Sequence, residues 1–365
     1  MSLTCTPPVA LVRRGFSRSG GAEAYLRRLA TGLFEQGCEV TLYNDRPWPE
    51  DYWPYPQLSI SHGGSPREFS RAFHRLRNPK EIIFSMERVV GCDIYRAGDG
   101  VHAAWLERRA EVDAPIRIFL RKFSPKHRAL LALERQVFQA DHTRLVIANS
   151  EMVKQEIIQR FAYPESQVAV ILNGVPPQKP SPEARERVRN SLGLATTDTA
   201  VLFAGSGWER KGLRFAIEAC RGIPNLKLLV AGRGNPPSRP DYVLYLGEVR
   251  QMEDTYAAAD VFLLPTLYDP FSNACLEALA AGLPVITTRA NGVSEVLENE
   301  QTGSVISNAA IPPELRRAVQ FWHSPEHRAA ARPRCLELAE RLSLTANTQQ
   351  TLAWIHRVRA AKAQG

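Results

Sequence analysis

The chain has 365 residues, of which 44% are hydrophobic and 23% are charged. This composition is ordinary for a globular protein, and at roughly 100 to 200 residues per domain the length predicts two domains. The six cysteines form no C-x-x-C pair, which argues against a disulfide framework and a zinc site and favours a reducing cytoplasm. Prolines and charges interrupt the N-terminal segment MSLTCTPPVALVRRGF, so we expect no secretion signal. No apolar run approaches the ~20 residues of a spanning helix.

The charge of the chain is positive and unevenly distributed. The formal net charge is +8 and the pI is about 9.3. Two basic segments, REFSRAFHRLRNPK (67–80) and RIFLRKFSPKHRALLALERQVF (117–138), interleave cations with apolar residues. Such a segment can lie on an anionic membrane surface or on a polyanion. It can equally be the solvated basic face of an ordinary helix, and the sequence leaves both interpretations open.

The first half of the chain alternates apolar runs with segments of helical period, which is typical of a parallel sheet covered on both faces. We predict strands in PVALVR, CEVTLYN, EIIFSM, CDIYRAG and RLVIANS. The segment AYLRRLATGLFEQG predicts a helix that ends at a glycine. Together these elements predict a Rossmann-like N-terminal domain over residues 1–173.

The second half repeats the pattern after a segment rich in prolines and charges, 174–197, which predicts an interdomain link. Predicted strands in AVLFAGSG, LKLLVAGRG, YVLYLGEV, DVFLLPT and PVITT alternate with predicted helices in GLRFAIEACRG, MEDTYAAA and FSNACLEALAAG. The fold class is therefore α/β, with a second doubly wound domain over 198–343. We expect a ligand cleft between the domains, at the carboxyl ends of the strands. A basic C-terminal helix within 344–365 could pack on either domain, including the N-terminal one.

The segment VFLLPTLYDPFSNACLEALAAGLPVITT (261–288) contains two carboxylates around a predicted helix start. Asp269 comes just before the start and Glu277 about two turns into the helix. Backbone N–H groups at the start of a helix suit a phosphate or a sugar oxygen. These groups belong to Phe271, Ser272 and Asn273. The alternative is structural: Asp269 caps the helix ahead of Pro270, and Glu277 is a solvated helix residue.

A glycine-rich turn follows a predicted strand in LFAGSGWERKG (202–212). After Gly205 it carries two adjacent cations, Arg210 and Lys211, which could neutralise a diphosphate without a metal. The turn is neither a dinucleotide fingerprint nor a Walker A loop, and the chain contains no D-x-D motif. A surface turn with two solvated cations is the alternative.

Two further motifs lie in the first half. In RRGFSRSGGAEAYLRRLA, Gly20 and Gly21 occupy the first strand-to-helix turn, where backbone can approach a ligand closely, and Glu23 follows as a candidate contact. In GCDIYRAGDGVHAAW, Asp99 and His102 follow a strand end on the side of the expected cleft. An ordinary turn and a structural histidine are the alternatives.

The order and spacing of these motifs resemble glycosyltransferase family 4, the retaining enzymes with the two-domain GT-B fold. The resemblance covers nearly the whole chain. It is carried by SGGAE, by NGV at 173–175, by GSGWERKG and above all by YAAADVFLLPTLYDPFSNACLEALAAGLPVITT. In this family the donor is a nucleotide sugar, and the matched positions imply roles for individual residues.

The resemblance implies that Arg210 and Lys211 hold the donor diphosphate and stabilise its leaving charge without a metal. Glu277 would hold the ribose hydroxyls. Asp269 would meet the hydroxyls of the donor sugar, close to the backbone of 271–273. The first acid of the family is usually Glu, and Asp269 is one methylene shorter. The glycine pair would line the phosphate or acceptor side of the N-terminal domain.

Within the family, GCDIYRAGDGVHAAWLERR and ERKG resemble the bacterial lipopolysaccharide core glucosyltransferases, which add α-glucose to an inner-core heptose. This resemblance implies UDP-glucose as the donor, a glycan or glycolipid acceptor, and no metal or other cofactor. It places Asp99 at the reaction centre, as a positioning group or weak base. It also implies peripheral attachment to an anionic membrane surface, the cytoplasmic face of the inner membrane.

Three other functions are alternatives to this one. A nicotinamide- or flavin-dependent oxidoreductase needs a G-x-G-x-x-G turn with an acid about 20 residues later, and neither half supplies one. A non-catalytic protein that binds sugar nucleotides or glycans stays open, because a fold does not guarantee activity. Only the net charge suggests a nucleic-acid partner, and without an aromatic-rich strand or a zinc pattern we expect none.

Overall fold

The computed structural model describes residues 8–18, 20–60, 64–178, 181–234 and 237–364. The chain divides into two compact units. The first unit combines Met1–Leu172 with Asn347–Gly365, and the second unit is Asn173–Ala346. The chain therefore leaves the first unit once and returns to it for its last helix.

The first unit contains a seven-stranded sheet in the order β3-β2-β1-β4-β5-β6-β7, and all of its strand pairs are parallel. The strands are β1 (Val9–Val12), β2 (Val40–Asn44), β3 (Gln57–Ser59), β4 (Ile82–Ser85), β5 (Cys92–Arg96), β6 (Thr143–Ala148) and β7 (Val168–Val170). The helices that follow the strands are α1 (Gly21–Glu35), α2 (Pro66–Leu76), α3 (His102–Ala110), α4 (Pro115–Arg121), α5 (Pro125–Val137) and α6 (Glu151–Phe161).

Burial explains why these segments are strands. All four residues of β1 and all four of β4 are buried, as expected for parallel strands that helices cover on both faces. Helix α1 packs Leu26, Leu29 and Leu33 into the same core as β1 and β2. Strand β3 is the exception, because its three residues are half-buried or exposed, and its lack of an apolar run left it outside the prediction.

The second unit contains a six-stranded parallel sheet in the order β10-β9-β8-β11-β12-β13, which is the order 3-2-1-4-5-6 of doubly wound nucleotide-binding folds. Its strands are β8 (Thr199–Ala204), β9 (Leu226–Ala231), β10 (Val243–Gly247), β11 (Val261–Leu264), β12 (Val285–Thr288) and β13 (Gly303–Ile306). Its helices are α7 (Pro182–Ser191), α8 (Trp208–Lys211), α9 (Leu213–Cys220), α10 (Met252–Ala258), α11 (Asn273–Ala280), α12 (Pro312–His323) and α13 (Pro325–Arg341).

Two segments connect the units in sequence. The predicted link, 174–197, contains helix α7 and clusters with the second unit, where Arg185 and Arg189 both form ion pairs with Asp260. The final helix, α14 (Leu344–Gln364), begins in the second unit and belongs to the first from Asn347 onward. Across the described ranges, no helix is both long and apolar enough to span a bilayer.

Candidate functional site

The sheet of the second unit reverses its strand order between β8 and β11. In doubly wound folds the loops after two such strands diverge, and ligands bind in the crevice between them. The glycine-rich turn 205–212 follows β8, and the loop 265–272 that enters α11 follows β11. The topology thus brings two of the predicted motifs to one point of the fold.

Lys211 and Asp269 form an ion pair at this point. Lys211 Nζ contacts Asp269 Oδ2, and the two side chains are only 12% and 7% exposed. The backbone of Asp269 is fixed on both sides: its N–H donates to Ala290 O at 2.8 Å, and its carbonyl accepts from Gly292 N at 2.9 Å. The N-cap position of α11 is Ser272, so Asp269 does not cap this helix as the alternative interpretation expected.

The start of α11 is organised by a buried asparagine instead. The helix begins at Asn273 with Ser272 at the N-cap position, and Ser272 makes no side-chain cap bond. The N–H of Ser272 donates to Asn291 Oδ1 at 3.2 Å, and Asn291 Nδ2 donates to Thr287 Oγ1 at 2.9 Å. Asn291 follows β12 and was missed in the sequence, since a lone Asn after a strand carries no spacing signal.

Asn173 supports the same segment from the NGV motif. Its Nδ2 donates to Phe271 O at 3.0 Å and to Asn273 Oδ1 at 2.8 Å. Phe271 is buried, whereas the side chain of Asn273 is exposed. The NGV motif carried the resemblance, but only the structure shows that its asparagine holds the entry to α11.

Glu277 lies half-buried on α11, and its carboxylate is oriented by a tyrosine. The hydroxyl of Tyr256 donates to Glu277 Oε2 at 2.9 Å. Burial, together with the charge of Glu277, raises the pKa of Tyr256 well above its usual value, so the tyrosine stays a neutral donor. Glu277 is thus a carboxylate held by α10, rather than a solvated helix residue.

The glycine-rich turn packs backbone against backbone. Gly212 has φ +79°, and a Cβ there would lie 1.9 Å from the carbonyl oxygen of Pro265. The carbonyl of Arg210 accepts from Leu267 N at 2.8 Å and from Thr266 Oγ1 at 2.9 Å. These contacts join the turn after β8 to the loop after β11, which fixes where the two cations project.

The first unit has its own charged cluster where its strand order reverses, after β1 and β4. Arg13 donates to Glu23 at 3.2 Å and to Glu87 at 3.0 Å. Burial raises the pKa of Glu87 even though Arg13 acts in the opposite direction. A Cβ on Gly20 would lie 1.8 Å from Glu23 Oε2, so this glycine leaves room for the Glu23 carboxylate. Arg13 and Glu87 were missed, although Arg13 directly follows β1.

The predicted pair Asp99 and His102 lies after β5. Asp99 is exposed, while His102 is the first residue of α3 and its N–H donates to Glu134 Oε1 at 2.6 Å. His102 Nε2 lies 3.0 Å from His127 Nδ1. Burial, with the nearby charges of Arg88 and His127, lowers the pKa of His102 to about 4. His102 is therefore neutral at physiological pH.

The predicted site residues fall into two groups, one in each unit. The second unit brings together Gly205, Arg210, Lys211, Asp269, Phe271, Ser272, Asn273 and Glu277 around the ends of β8 and β11. The first unit contains Gly20, Gly21, Glu23, Asp99 and His102 after β1 and β5. Their roles toward a ligand stay predictions.

Two family models match the chain in succession. The model described as Glycosyltransferase Family 4 matches residues 19–179. The model described as Glycosyl transferases group 1 matches residues 198–323. The two matches lie in the first and second units, respectively, apart from the few residues after Leu172.

Curated relatives agree with these models. A probable transglycosylase of Burkholderia thailandensis is 30% identical over 280 residues, which are 73% of each chain. The lipopolysaccharide glucosyltransferase WaaG of Escherichia coli is 24% identical over 315 residues, 79% of this chain and 82% of WaaG. An uncharacterized glycosyltransferase of Methanocaldococcus jannaschii is 33% identical over 180 residues, and the match spans only 45% of its length.

Solved structures show the same fold. The crystal structure of WaaG superimposes with a TM-score of 0.79 at 21% identity, covering 95% of this chain and 99% of that one. Anabaena HepE, in complex with UDP and glucose, gives a TM-score of 0.72 at 16% identity, covering 96% and 100%. WaaG and HepE share with this chain the two parallel-sheet α/β domains predicted from the sequence, and the chain belongs to glycosyltransferase family 4 and has the GT-B fold.

Proposed function

We propose that this glycosyltransferase moves glucose from UDP-glucose to a hydroxyl of a glycan or glycolipid, such as the lipopolysaccharide inner core, with retention of configuration and without a metal. The observation that carries the proposal is the buried Lys211–Asp269 pair at the strand-order reversal of the second unit. Two relatives support the choice of sugar: WaaG is named a glucosyltransferase, and HepE was solved with UDP and glucose.

The donor half of the proposal rests on the charges around α8 and α11. The Lys211 ammonium has three N–H donors, and among the described contacts it uses one, on Asp269. The remaining donors, with the half-buried guanidinium of Arg210, suit the oxygens of a diphosphate. Asp269 and Glu277 then accept from sugar and ribose hydroxyls. Fixed cations beside a departing diphosphate stabilise its developing charge, which is the role a metal would otherwise fill.

In the proposed reaction, the bond between the anomeric carbon and the diphosphate oxygen breaks. The acceptor hydroxyl forms the new glycosidic bond on the same face of the sugar. A leaving phosphate oxygen takes the proton of the acceptor hydroxyl, so UDP departs with that proton. Asp99, which is exposed after β5, acts as a positioning group for the sugar rather than as a nucleophile.

The donor is tested with a thermal-shift and hydrolysis panel of UDP-, GDP- and ADP-glucose in EDTA. Wild type is compared with Glu277→Ala and with Glu186→Ala, which removes an exposed carboxylate of α7 in the same unit. We expect UDP-glucose to stabilise wild type and Glu186→Ala but not Glu277→Ala, and to be hydrolysed slowly. Stabilisation without hydrolysis or transfer would instead favour the non-catalytic sugar-nucleotide-binding protein. Binding of none of the three donors would overturn the proposal.

We further propose that the protein is peripheral to the membrane that carries its acceptor, on the cytoplasmic face. Helix α4 exposes Ile116, Phe119 and Leu120 by 62%, 55% and 60%, and Phe123 beyond it is 60% exposed. Basic residues are interspersed among them, namely Arg117, Lys122 and Lys126. Apolar side chains with interleaved cations suit the interface of an anionic bilayer.

Vesicle sedimentation tests this surface. We expect binding to vesicles of phosphatidylcholine and phosphatidylglycerol in equal parts, and little binding to phosphatidylcholine alone. The double variant Phe119→Ser/Phe123→Ser should lose this binding. The control Phe34→Ser, which changes a phenylalanine of α1 that is 62% exposed, should keep it. Equal binding by both variants would rule out α4 as the membrane contact.

A further inference from the structure

A cavity lies in the first unit between α2 and α5. Its volume is about 470 Å³, within the range of small-molecule pockets, roughly 300 to 1,000 Å³. It is lined by Arg67, Ser70, Arg71, His74, Arg75, Val90, Leu133 and Gln136. None of these residues belongs to the donor or acceptor machinery described above.

The charge of this cavity is one-sided. Arg67, Arg71 and Arg75 are spaced four residues apart on α2, so they stand on one face of the helix. Within the described ranges, none of the three has a carboxylate partner, and no acid lines the cavity. The one acid of α2, Glu68, accepts from the N–H of Ser65 at 3.0 Å in the capping box of the helix. Like charges at this spacing repel, and a bound anion would relieve that repulsion.

Neutral donors complete the lining. Ser70 is only 3% exposed, and its Oγ accepts from the N–H of Val90 at 3.2 Å, which leaves the hydroxyl hydrogen able to donate. His74 Nδ1 lies 3.4 Å from the carbonyl oxygen of Val90. Serine and histidine thus contact the N–H and the carbonyl oxygen of the same residue, Val90, and hold its loop against α2. The amide of Gln136, on α5, offers a further donor at the opposite wall.

We propose that this cavity binds a phosphate group, carried by a small phosphorylated molecule or by a lipid headgroup. Arginine guanidinium groups recognise phosphate through paired N–H donors, and a buried hydroxyl adds a donor that carries no charge. The α4–Phe123 segment, which exposes its apolar side chains, directly precedes α5. Helix α5 rises about 1.5 Å per residue, so the cavity residue Leu133 lies roughly 12 Å along α5 from the start of that helix. If the α4–Phe123 segment rests on a bilayer, a lipid headgroup could therefore reach the cavity. The inference requires no transfer reaction and stands apart from the proposed donor site.

The test uses the full chain and measures binding rather than turnover. Glycerol 3-phosphate is titrated by calorimetry, with glycerol as the uncharged comparison. The variants are Arg71→Ala, the control Arg135→Ala, and Lys211→Ala. Arg135 is an exposed arginine of α5 that does not line the cavity. Vesicles of phosphatidylcholine with phosphatidylglycerol, against phosphatidylcholine alone, form the lipid arm.

We expect Arg71→Ala to weaken phosphate binding roughly ten-fold or more, because a charged hydrogen bond is lost, while Arg135→Ala and Lys211→Ala change it little. Loss confined to glycerol 3-phosphate identifies a soluble ligand, and loss confined to vesicles identifies a headgroup. The proposal is overturned if Arg71→Ala behaves like Arg135→Ala in both arms, or if Lys211→Ala alone abolishes binding. If UDP-glucose still stabilises Arg71→Ala, the donor site is intact in that variant, and a loss of phosphate binding then belongs to the cavity alone.

Discussion

Lys211 and Asp269 are 58 residues apart in sequence, yet their side chains pair within the second unit. Lys211 ends α8, which follows β8, and Asp269 lies in the loop after β11; β8 and β11 are neighbours in the sheet. Both side chains are nearly shielded from water, so each depends on the other to balance its charge. The ammonium of Lys211 and the carboxylate of Asp269 therefore orient each other before any ligand binds.

This pairing predicts strong coupling between the two positions. Lys211→Met and Asp269→Asn should each lower the free energy of unfolding by about 3 kcal/mol, because each leaves an uncompensated buried group. The double variant should lose clearly less than the sum, since no lone charge remains. Urea unfolding of the four proteins measures the cycle. Additive losses would mean that the pair contributes no coupling energy.

The Tyr256–Glu277 contact predicts a graded effect on donor binding. Tyr256→Phe removes one hydrogen bond to the carboxylate but keeps the carboxylate, so we expect KM for the donor to rise about 2- to 10-fold with kcat little changed. Glu277→Ala should have a larger effect. Steady-state kinetics over the donor concentration provide the measurement. Tyr245→Phe, which removes a hydroxyl donating to Ser238 O in the same unit, should match wild type.

Gly212 and Gly222 form a matched pair for testing the turn after β8. Both have positive φ, +79° and +65°, but a Cβ at Gly212 would lie 1.9 Å from Pro265 O, while one at Gly222 meets nothing within 4 Å. Gly222→Ala should cost only backbone strain, about 1 to 2 kcal/mol. Gly212→Ala should cost more than about 3 kcal/mol and weaken donor binding, because the loop after β11 must move. Equal unfolding midpoints in urea would contradict the close approach.

His102 predicts a dependence of stability on pH. Burial and the nearby Arg88 lower its pKa from 6.5 to about 4 in the folded protein. Between these values the unfolded chain binds more protons, so the free energy of unfolding should fall as the pH drops from about 6.5 toward about 4. Above that window this group contributes no slope. His102→Asn should flatten the slope of the thermal midpoint with pH, whereas His356→Asn, at an exposed histidine of α14, should not. An unchanged slope in His102→Asn would assign the effect to other groups.

The sequence could predict features that depend on residues close together in the chain. A buried parallel strand has a continuous apolar run in its sequence, and β1, β8 and β11 were predicted for that reason. The prolines and charges of 174–197 predicted a link without regular structure. In the structure, Ser181 accepts from Ala184 N and Pro182 stands in the first turn, so the same residues begin helix α7.

Long-range pairs account for most of what the sequence could not indicate. Lys211 and Asp269 were each singled out, but nothing in either motif predicts that they meet. Arg13 and Glu87 lie 74 residues apart and came together only through the order of β1 and β4. The place of Gly20 in the first strand-to-helix turn predicted a close approach to a ligand, and in the structure the space beside it is occupied by Glu23.

The last helix sets the order in which the two units can be completed during synthesis. Leu352, Ile355 and Val358 of α14 are buried in the core that β1, β2 and α1 form. A ribosome therefore finishes the second unit, which ends at Ala346, before it has made the residues that close the first. The first unit therefore keeps an open apolar face until α14 emerges. Termination of translation soon after Ala346 would leave the first unit, and not the second, incomplete and exposed to chaperones and proteases.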